Sequence, residues 1–207
     1  MCRQQISYID YVEEVEDIYK IERRETYFSF ILRDFIQSVL SEDERLVAVW
    51  DNKGYGDSTK DPLHRRRNYA DSRSLQDFII VPWEYTYENT TKPYVSIELK
   101  MADLDKYKEL ESDRARKQLE AELRFCDYII FTDCVTWIFI TKGKNGVKEE
   151  KLCLIKEKKW LPVKSDDRNG QRMGDIPTEE PKEWKELKNK IRQFVLDAKK
   201  VRKDKSG

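Results

Sequence analysis

DFIIVPWEYTYENTTKPYVSIELK, residues 77–100, is the stretch that decides the fold of this chain. An acid, Asp77, precedes the apolar run Phe78-Ile79-Ile80-Val81, and a second apolar run ends in Glu98-Leu99-Lys100. Both runs are rich in β-branched and aromatic residues, which marks strands. Asn89, Thr90, Thr91 and Pro93 place the connection near Glu88 to Lys92. Alternation along a strand puts Glu98 and Lys100 on one face. Antiparallel pairing brings Asp77, at the start of the first strand, beside Glu98, at the end of the second. Two carboxylates and an ammonium then share one end of a hairpin.

Close carboxylates repel unless a positive charge lies between them. A divalent cation meets that need, and an all-oxygen donor set suits Mg²⁺, with Mn²⁺ as substitute. The Leu99 carbonyl offers a further oxygen. Such a metal lowers the pKa of a bound water and neutralises charge on a phosphate, while Lys100 orients or helps deprotonate the water. That is the chemistry of phosphodiester hydrolysis. The same three side chains also fit an exposed cross-strand face, which contributes only about 0.2–1 kcal/mol per pair.

Asp77 followed at a distance by Glu98-Leu99-Lys100 resembles the PD-(D/E)XK nuclease superfamily, the restriction-endonuclease-like fold. Residues 116–140, RKQLEAELRFCDYIIFTDCVTWIFI, look like the Q-L-x-x-Y … TDG-x-x-W region of nuclease domains in type I restriction motor subunits and type IIG restriction-modification enzymes. The resemblance covers roughly residues 20–141. It departs at Gln76, where Pro is common, at Glu122, where Tyr is frequent, and at Cys134, where Gly usually follows Thr-Asp. The resemblance implies an α/β/α sandwich with a mixed central sheet, and a metal-dependent endodeoxyribonuclease of restriction or phage-defence type. It adds two residues to the site. Gln118 would contact phosphate or a water at the metal. A Glu of the first helix would approach the metal. Glu22 and Glu25 are the candidates, and Glu25 is preferred because Phe28 and Leu32 extend the apolar stripe on its side.

The rest of the chain is consistent with that order. Residues 8–40 read as one helix, with Tyr27, Phe30, Ile31, Phe35 and Val39 near helical spacing. Leu46 to Trp50 reads as a short buried strand. Residues 51–74 are rich in Gly, Asp, Asn and Pro and read as a long loop. Long loops are often functional. Here Arg65, Arg66, Arg67 and Arg73 suit phosphate contacts, and Tyr55 and Tyr69 suit stacking on bases; a solvated surface loop fits equally well. The only histidine, His64, lies in the same segment. A helix is expected over residues 105–125, with Leu110, Ala115, Leu119 and Glu122 or Leu123 inward. Strands follow at 128–131 and 135–141, and after the turn Lys144-Asn145-Gly146 another at 151–155. From Trp160 a Gly/Pro/Asp-rich segment leads to a last helix opened by Pro181, with Trp184, Leu187, Ile191, Val195 and Leu196 as its stripe. The expected organisation is a nuclease-like domain over residues 1–160 and a linker with a basic helix over 161–207, docked on the core or on a partner.

Composition sets the outer limits. Forty basic and forty acidic residues give no net charge, which argues against a purely electrostatic nucleic-acid binder. A neutral body still permits a basic cleft. Ten Lys/Arg fall within residues 182–205, whereas residues 10–25 are acid-rich. No stretch approaches the ~20 apolar residues of a membrane helix, and no apolar leader opens the chain, so a cytoplasmic protein is expected. Cys2, Cys126, Cys134 and Cys153 lack zinc-finger spacing and read as ordinary thiols. No helicase phosphate loop or methyltransferase motif is present, so any motor, methyltransferase or specificity partner lies on another chain or segment. DNA is the expected substrate. Cutting both strands would require a homodimer or two visits. The alternative is a non-catalytic nucleic-acid-binding or assembly subunit on the same fold.

Overall fold

The structure is a computed structural model that describes residues 5–21, 24–49, 77–85, 93–102, 110–157, 159–162, 164–165 and 178–206. Helices α1 (Tyr8–Ile21) and α2 (Glu25–Val39) lead into strands β1 (Glu44–Ala48), β2 (Phe78–Pro82) and β3 (Val95–Leu99). Helix α3 (Asp113–Glu122) connects to β4 (Tyr128–Thr132), β5 (Thr136–Gly143) and β6 (Gly146–Cys153), and α4 (Lys182–Ser206) closes the fold. Two short antiparallel pairs lie before α4: β7 (Ile155–Lys156) with β8 (Lys159–Trp160), and β9 (Lys164–Ser165) with β10 (Thr178–Glu179).

The six long strands form one mixed sheet in the order β1-β2-β3-β4-β5-β6. Only β3 and β4 run parallel, with Glu98 opposite Phe131 and Leu99 opposite Thr132. A parallel pair needs a crossover, and α3 lies within it. Helix α3 starts where Ser112 caps it, its hydroxyl accepting the Ala115 N–H at 3.2 Å.

Alternation on the strands supplies two apolar faces. Phe78, Ile80, Val95, Ile97, Leu99, Ile130, Trp137 and Phe139 pack with α1, α2 and α4 in the larger core. Ile129, Phe131, Ile138 and Ile140 pack on the other side against Ala115, Leu119 and Leu123 of the α3 segment. Charges on the exposed strand β6 follow the same alternation. Glu150 pairs with Lys190 of α4, and Glu149 with Arg116 of α3 at 2.8 Å. Charged side chains on an edge strand also discourage edge-to-edge pairing.

Trp184 anchors α4 in the larger core. It is fully buried, stacked on Phe35 at 4.6 Å between ring centroids, and flanked by Tyr11 at 4.9 Å and Tyr8 at 5.6 Å. Its indole N–H donates to Glu180 Oε1 at 3.1 Å. Further along α4, Lys199 reaches Asp43 at 2.7 Å and the buried Glu44 at 2.9 Å, tying the helix to the start of β1.

Several boundaries differ from the sequence reading. The single helix expected over residues 8–40 is two helices, and Arg24 before α2 is extended at φ −103°, ψ 135°. The charged run around residues 20–25 separates two apolar stripes, one on each helix. Folding back lets both reach one core, where a straight rod of that length would span nearly 50 Å. Tyr27 and Phe30 are exposed, and Phe28, Leu32 and Ile36 face inward instead. Strand β1 begins at Glu44 and is only half-buried because it is an edge strand. Within the described residues α3 starts at Asp113 rather than Asp105. Strand β6 starts at Gly146, five residues before the expected Lys151, because the hairpin register runs on from Gly143 opposite Gly146 despite the polar sequence. On α4, Leu196 is exposed, and Phe194 and Ala198 join the core with Val195. The Arg-rich loop and its His64, Tyr55 and Tyr69 lie outside the described residues, as does Glu22.

Removing the Trp184 ring should destabilise the whole fold, since truncating a buried Trp typically costs about 3–5 kcal/mol. Urea denaturation of Trp184→Ala should show a lower midpoint; an unchanged midpoint would mean that α4 is not integral to the core.

Candidate functional site

One end of the β2–β3 pair collects the acids that the sequence singles out. In the β2–β3 register Phe78 opposes Ile97, which sets Asp77 next to Glu98. The strands fix Asp77 by its backbone: its N–H donates to the Ile97 carbonyl at 3.1 Å and its carbonyl accepts from Val49 at 2.8 Å. Its carboxylate Oδ2 accepts the Leu99 N–H at 2.7 Å. Because Val95, Ile97 and Leu99 point into the larger core, Ser96 and Glu98 point to the α3 side.

Glu98 is only 3 % exposed. Its Oε1 accepts from both Lys100 Nζ and Gln118 Nε2. Its Oε2 accepts no hydrogen bond from the described residues. Gln118 therefore enters the site from α3. Glu122, one turn further along α3, is fully buried and its carboxyl adjoins that of Glu98. The sequence pattern turns Glu122 or Leu123 inward and assigns Glu122 no role; both are buried. The available signal was a glutamate four residues after Gln118, hence on the same helical face.

Lys100 is held by the chain past β3. Its N–H donates to the Thr132 carbonyl at 2.8 Å, at the end of the parallel neighbour β4. That end is braced by the Thr132-Asp133-Cys134 turn. Asp133 Oδ1 accepts the N–H groups of Val135 at 3.0 Å and Thr136 at 2.6 Å, and Thr132 Oγ1 accepts that of Cys134 at 3.0 Å. Cys134 has φ +69°, a left-handed conformation that glycine adopts without strain. The buried Tyr11 hydroxyl donates to its carbonyl at 2.7 Å and secures the turn from α1.

The electrostatics are those of a carboxylate cluster with too few cations. Burial, then the Glu98 charge and more weakly Glu25, push Asp77 up to about 8. Burial and the neighbouring Glu122 carboxyl raise Glu98 well above the ordinary carboxylate range. Burial alone would lower the Lys100 ammonium, but Glu98, Glu25 and Asp77 outweigh it and raise its pKa. Glu25, half-buried at the start of α2, is thus close enough for its charge to bear on both Asp77 and Lys100. Asp77, Glu98, Lys100 and Gln118 meet at one sheet end, with Leu99 beside them and the Glu25 charge within electrostatic reach. Arg65, Arg66, Arg67 and Arg73 lie outside the described residues.

Among the described residues no group of three or more His, Cys, Asp or Glu side chains is arranged to hold a metal by itself. Mg²⁺ rarely uses such a cage; it commonly takes one or two carboxylates and completes its shell with water and phosphate oxygens. Among the described residues no helix is long and apolar enough to cross a membrane. Comparison with known proteins returned no match to any family model, curated protein or solved structure.

The raised Asp77 pKa carries a sign. The folded state holds the Asp77 proton more tightly than the unfolded chain, whose value is near 3.8. Stability tied to neutral Asp77 is thus full below about 4 and is lost as pH rises through about 8. In EDTA, Asp77→Asn should therefore raise Tm at pH 8–9 by roughly 3–6 °C, and the gain should shrink towards pH 4. A gain that does not vary with pH in calorimetric scans would contradict the buried-carboxylate account.

Proposed function

We propose that the chain is a metal-dependent endonuclease that hydrolyses DNA phosphodiester bonds, built on the restriction-endonuclease-like fold and related to PD-(D/E)XK nucleases of the restriction or phage-defence kind. The observation that carries the reading is the meeting of Asp77, Glu98 and Lys100 at one end of paired strands, with Lys100 on Glu98. The mixed sheet, with helices against both faces, is of the expected kind. A scaffold has no reason to keep two acids and a lysine in this buried arrangement, because unpaired buried carboxylates destabilise a fold.

The donor set fits a divalent cation. Asp77 and Glu98 would hold Mg²⁺, assisted by the Leu99 carbonyl, with Glu25 nearby. When bound, the ion supplies a lowered water pKa and neutralises charge on the phosphate. Lys100 stays charged near neutral pH, so its ammonium positions the attacking water and steadies phosphate charge. Gln118 holds Glu98 from the helix side and fixes its carboxylate plane. Asp77 is held by the Leu99 N–H, so the strand backbone orients its carboxylate before any ion arrives. Loop arginines 65, 66, 67 and 73 would contact the DNA backbone, and a motor, methyltransferase or specificity partner would direct the cut.

Supercoiled plasmid with Mg²⁺ or Mn²⁺ should be nicked or linearised by the wild type. Lys100→Ala and Asp77→Asn should each be slower by about 10²–10⁴-fold, the usual range for losing a positioned acid–base group. Absence of cleavage with either metal across DNA substrates would favour the non-catalytic subunit, and equal cleavage by wild type and Lys100→Ala would remove Lys100 from the mechanism.

A further inference from the structure

Helices α1 and α2 each turn one face into the larger core and leave a groove on their outer side. The groove has a volume of about 460 Å³, and its lining includes Ile6, Asp10 and Glu14 from the α1 side and Ile31, Asp34 and Gln37 from α2. Asp10 and Glu14 stand one turn apart on α1, so both carboxylates lie on one side of the helix. No Lys or Arg of the described residues lines the groove. Helix α1 as a whole carries Asp10, Glu13, Glu14, Glu16 and Asp17 against Lys20 alone. Of the three groove acids only Asp34 has a basic partner among the described residues, the adjacent Arg33 at 3.0 Å, and that pair is exposed and therefore weak.

Apolar surface continues the groove along α2. Tyr27 stands one turn before Ile31, and Phe30 one turn before Asp34, on the same side of the helix. Tyr27 is 43 % exposed and Phe30 45 %. Ile9 and Ile21 of α1 are exposed as well, so half of the eight large apolar side chains exposed among the described residues stand on these two helices. Single exposed apolar residues are ordinary, but several gathered beside a groove mark an interaction surface. Core packing accounts for none of them, because Phe28, Leu32 and Phe35 already fill the inward face of α2.

We propose that the α1–α2 groove docks a helix of a partner protein, one with an apolar face and Lys or Arg along its flank. Its apolar residues cover Tyr27 and Phe30, and its bases meet Asp10, Glu14 and Asp34. Acid-lined walls without a base select a cationic partner and reject nucleic acid, whose phosphates they repel. A helix suits the place because it satisfies its own backbone groups and packs its ridges between two others, whereas two helices offer no free strand edge to an extended peptide. None of the lining residues belongs to the cluster of Asp77 and Glu98, so the proposal stands apart from the nuclease reading.

The test is fluorescence anisotropy of a labelled helical peptide, with leucines on one face and lysines beside them, titrated with the full chain. One control peptide has glutamate in place of lysine; another has the same composition shuffled to remove the apolar face. The groove variant is Glu14→Lys/Asp34→Lys. Glu13→Lys/Asp17→Lys makes the same change in net charge on α1 outside the groove lining, and Tyr27→Ser/Phe30→Ser removes the apolar end. All six positions are exposed, so native circular dichroism is expected throughout. The lysine peptide should bind wild type, and should bind the groove and aromatic variants about tenfold or more weakly, the scale of losing interface anchors. Glu13→Lys/Asp17→Lys should change affinity by less than about threefold, as expected of charge outside the contact. Equal loss in the two charge variants would reduce the effect to bulk acidity and overturn the proposal. A glutamate or shuffled peptide that binds as well, or no binding of the lysine peptide to wild type, would overturn it too. Sedimentation of the chain alone supplies the last arm: a dimer abolished by the groove variant would make the occupant a second copy, not a partner protein.

Discussion

Burial of the Glu98 carboxylate is the constraint around which this structure is arranged. A charge removed from water is costly unless paired and hydrogen-bonded. Glu98 sits at 3 % exposure with one ammonium, one amide and further carboxyls beside it. Nothing in the packing requires an acid at that point of β3. The fold therefore tolerates a local instability there, and buried ionisable groups with shifted pKa values cluster at functional sites.

Rigid elements hold that unfavourable cluster in place. Asp77 and Glu98 are adjacent because the β2–β3 register leaves no other arrangement without turning Phe78, Ile80, Val95 and Ile97 out of the core. Lys100 is fixed through its backbone to Thr132, and Thr132 through a turn locked by Asp133 and Tyr11. The aromatic packing of Tyr11, Phe35 and Trp184 lies on the far face of the sheet from Glu98, yet it sets the positions of α1, α2 and α4, and so of Glu25 at the start of α2. The two faces divide the labour: one supplies cohesion, the other presents the acids to α3.

The absence of net charge is compatible with this division. Many charges are spent locally, as in the ladder of β6 with α3 and α4 and in the ties from Lys199 to Asp43 and Glu44. The exposed pairs among them add little stability one by one, whereas Lys199–Glu44 is largely buried. Their value is in masking an edge strand and in aligning α4 along the sheet.

How much of this was legible beforehand follows from what a residue pattern encodes. The apolar run FIIV and the alternation in VSIEL, with turn formers between, were enough to pair Asp77 with Glu98, because register follows from the hydrophobic face. The i, i+4 relation of Gln118 and Glu122 was also in the sequence, but a glutamate in a charged helix carries no mark of burial until the sheet it packs on is known. The break between α1 and α2 left no Gly or Pro as a signal; it arises because two apolar stripes must share one core. Strand β6 was hidden for the converse reason, since its polar residues are in a strand only through pairing with β5. The sequence by itself determined strands β2 and β3, the alternation along β3 and the identity of the acids, all of which depend on neighbours along the chain. Only tertiary structure decided which acids are buried, which donor each oxygen meets, and that Glu98 stands between Asp77 and Glu122, because burial and charge pairing depend on segments far apart in the chain.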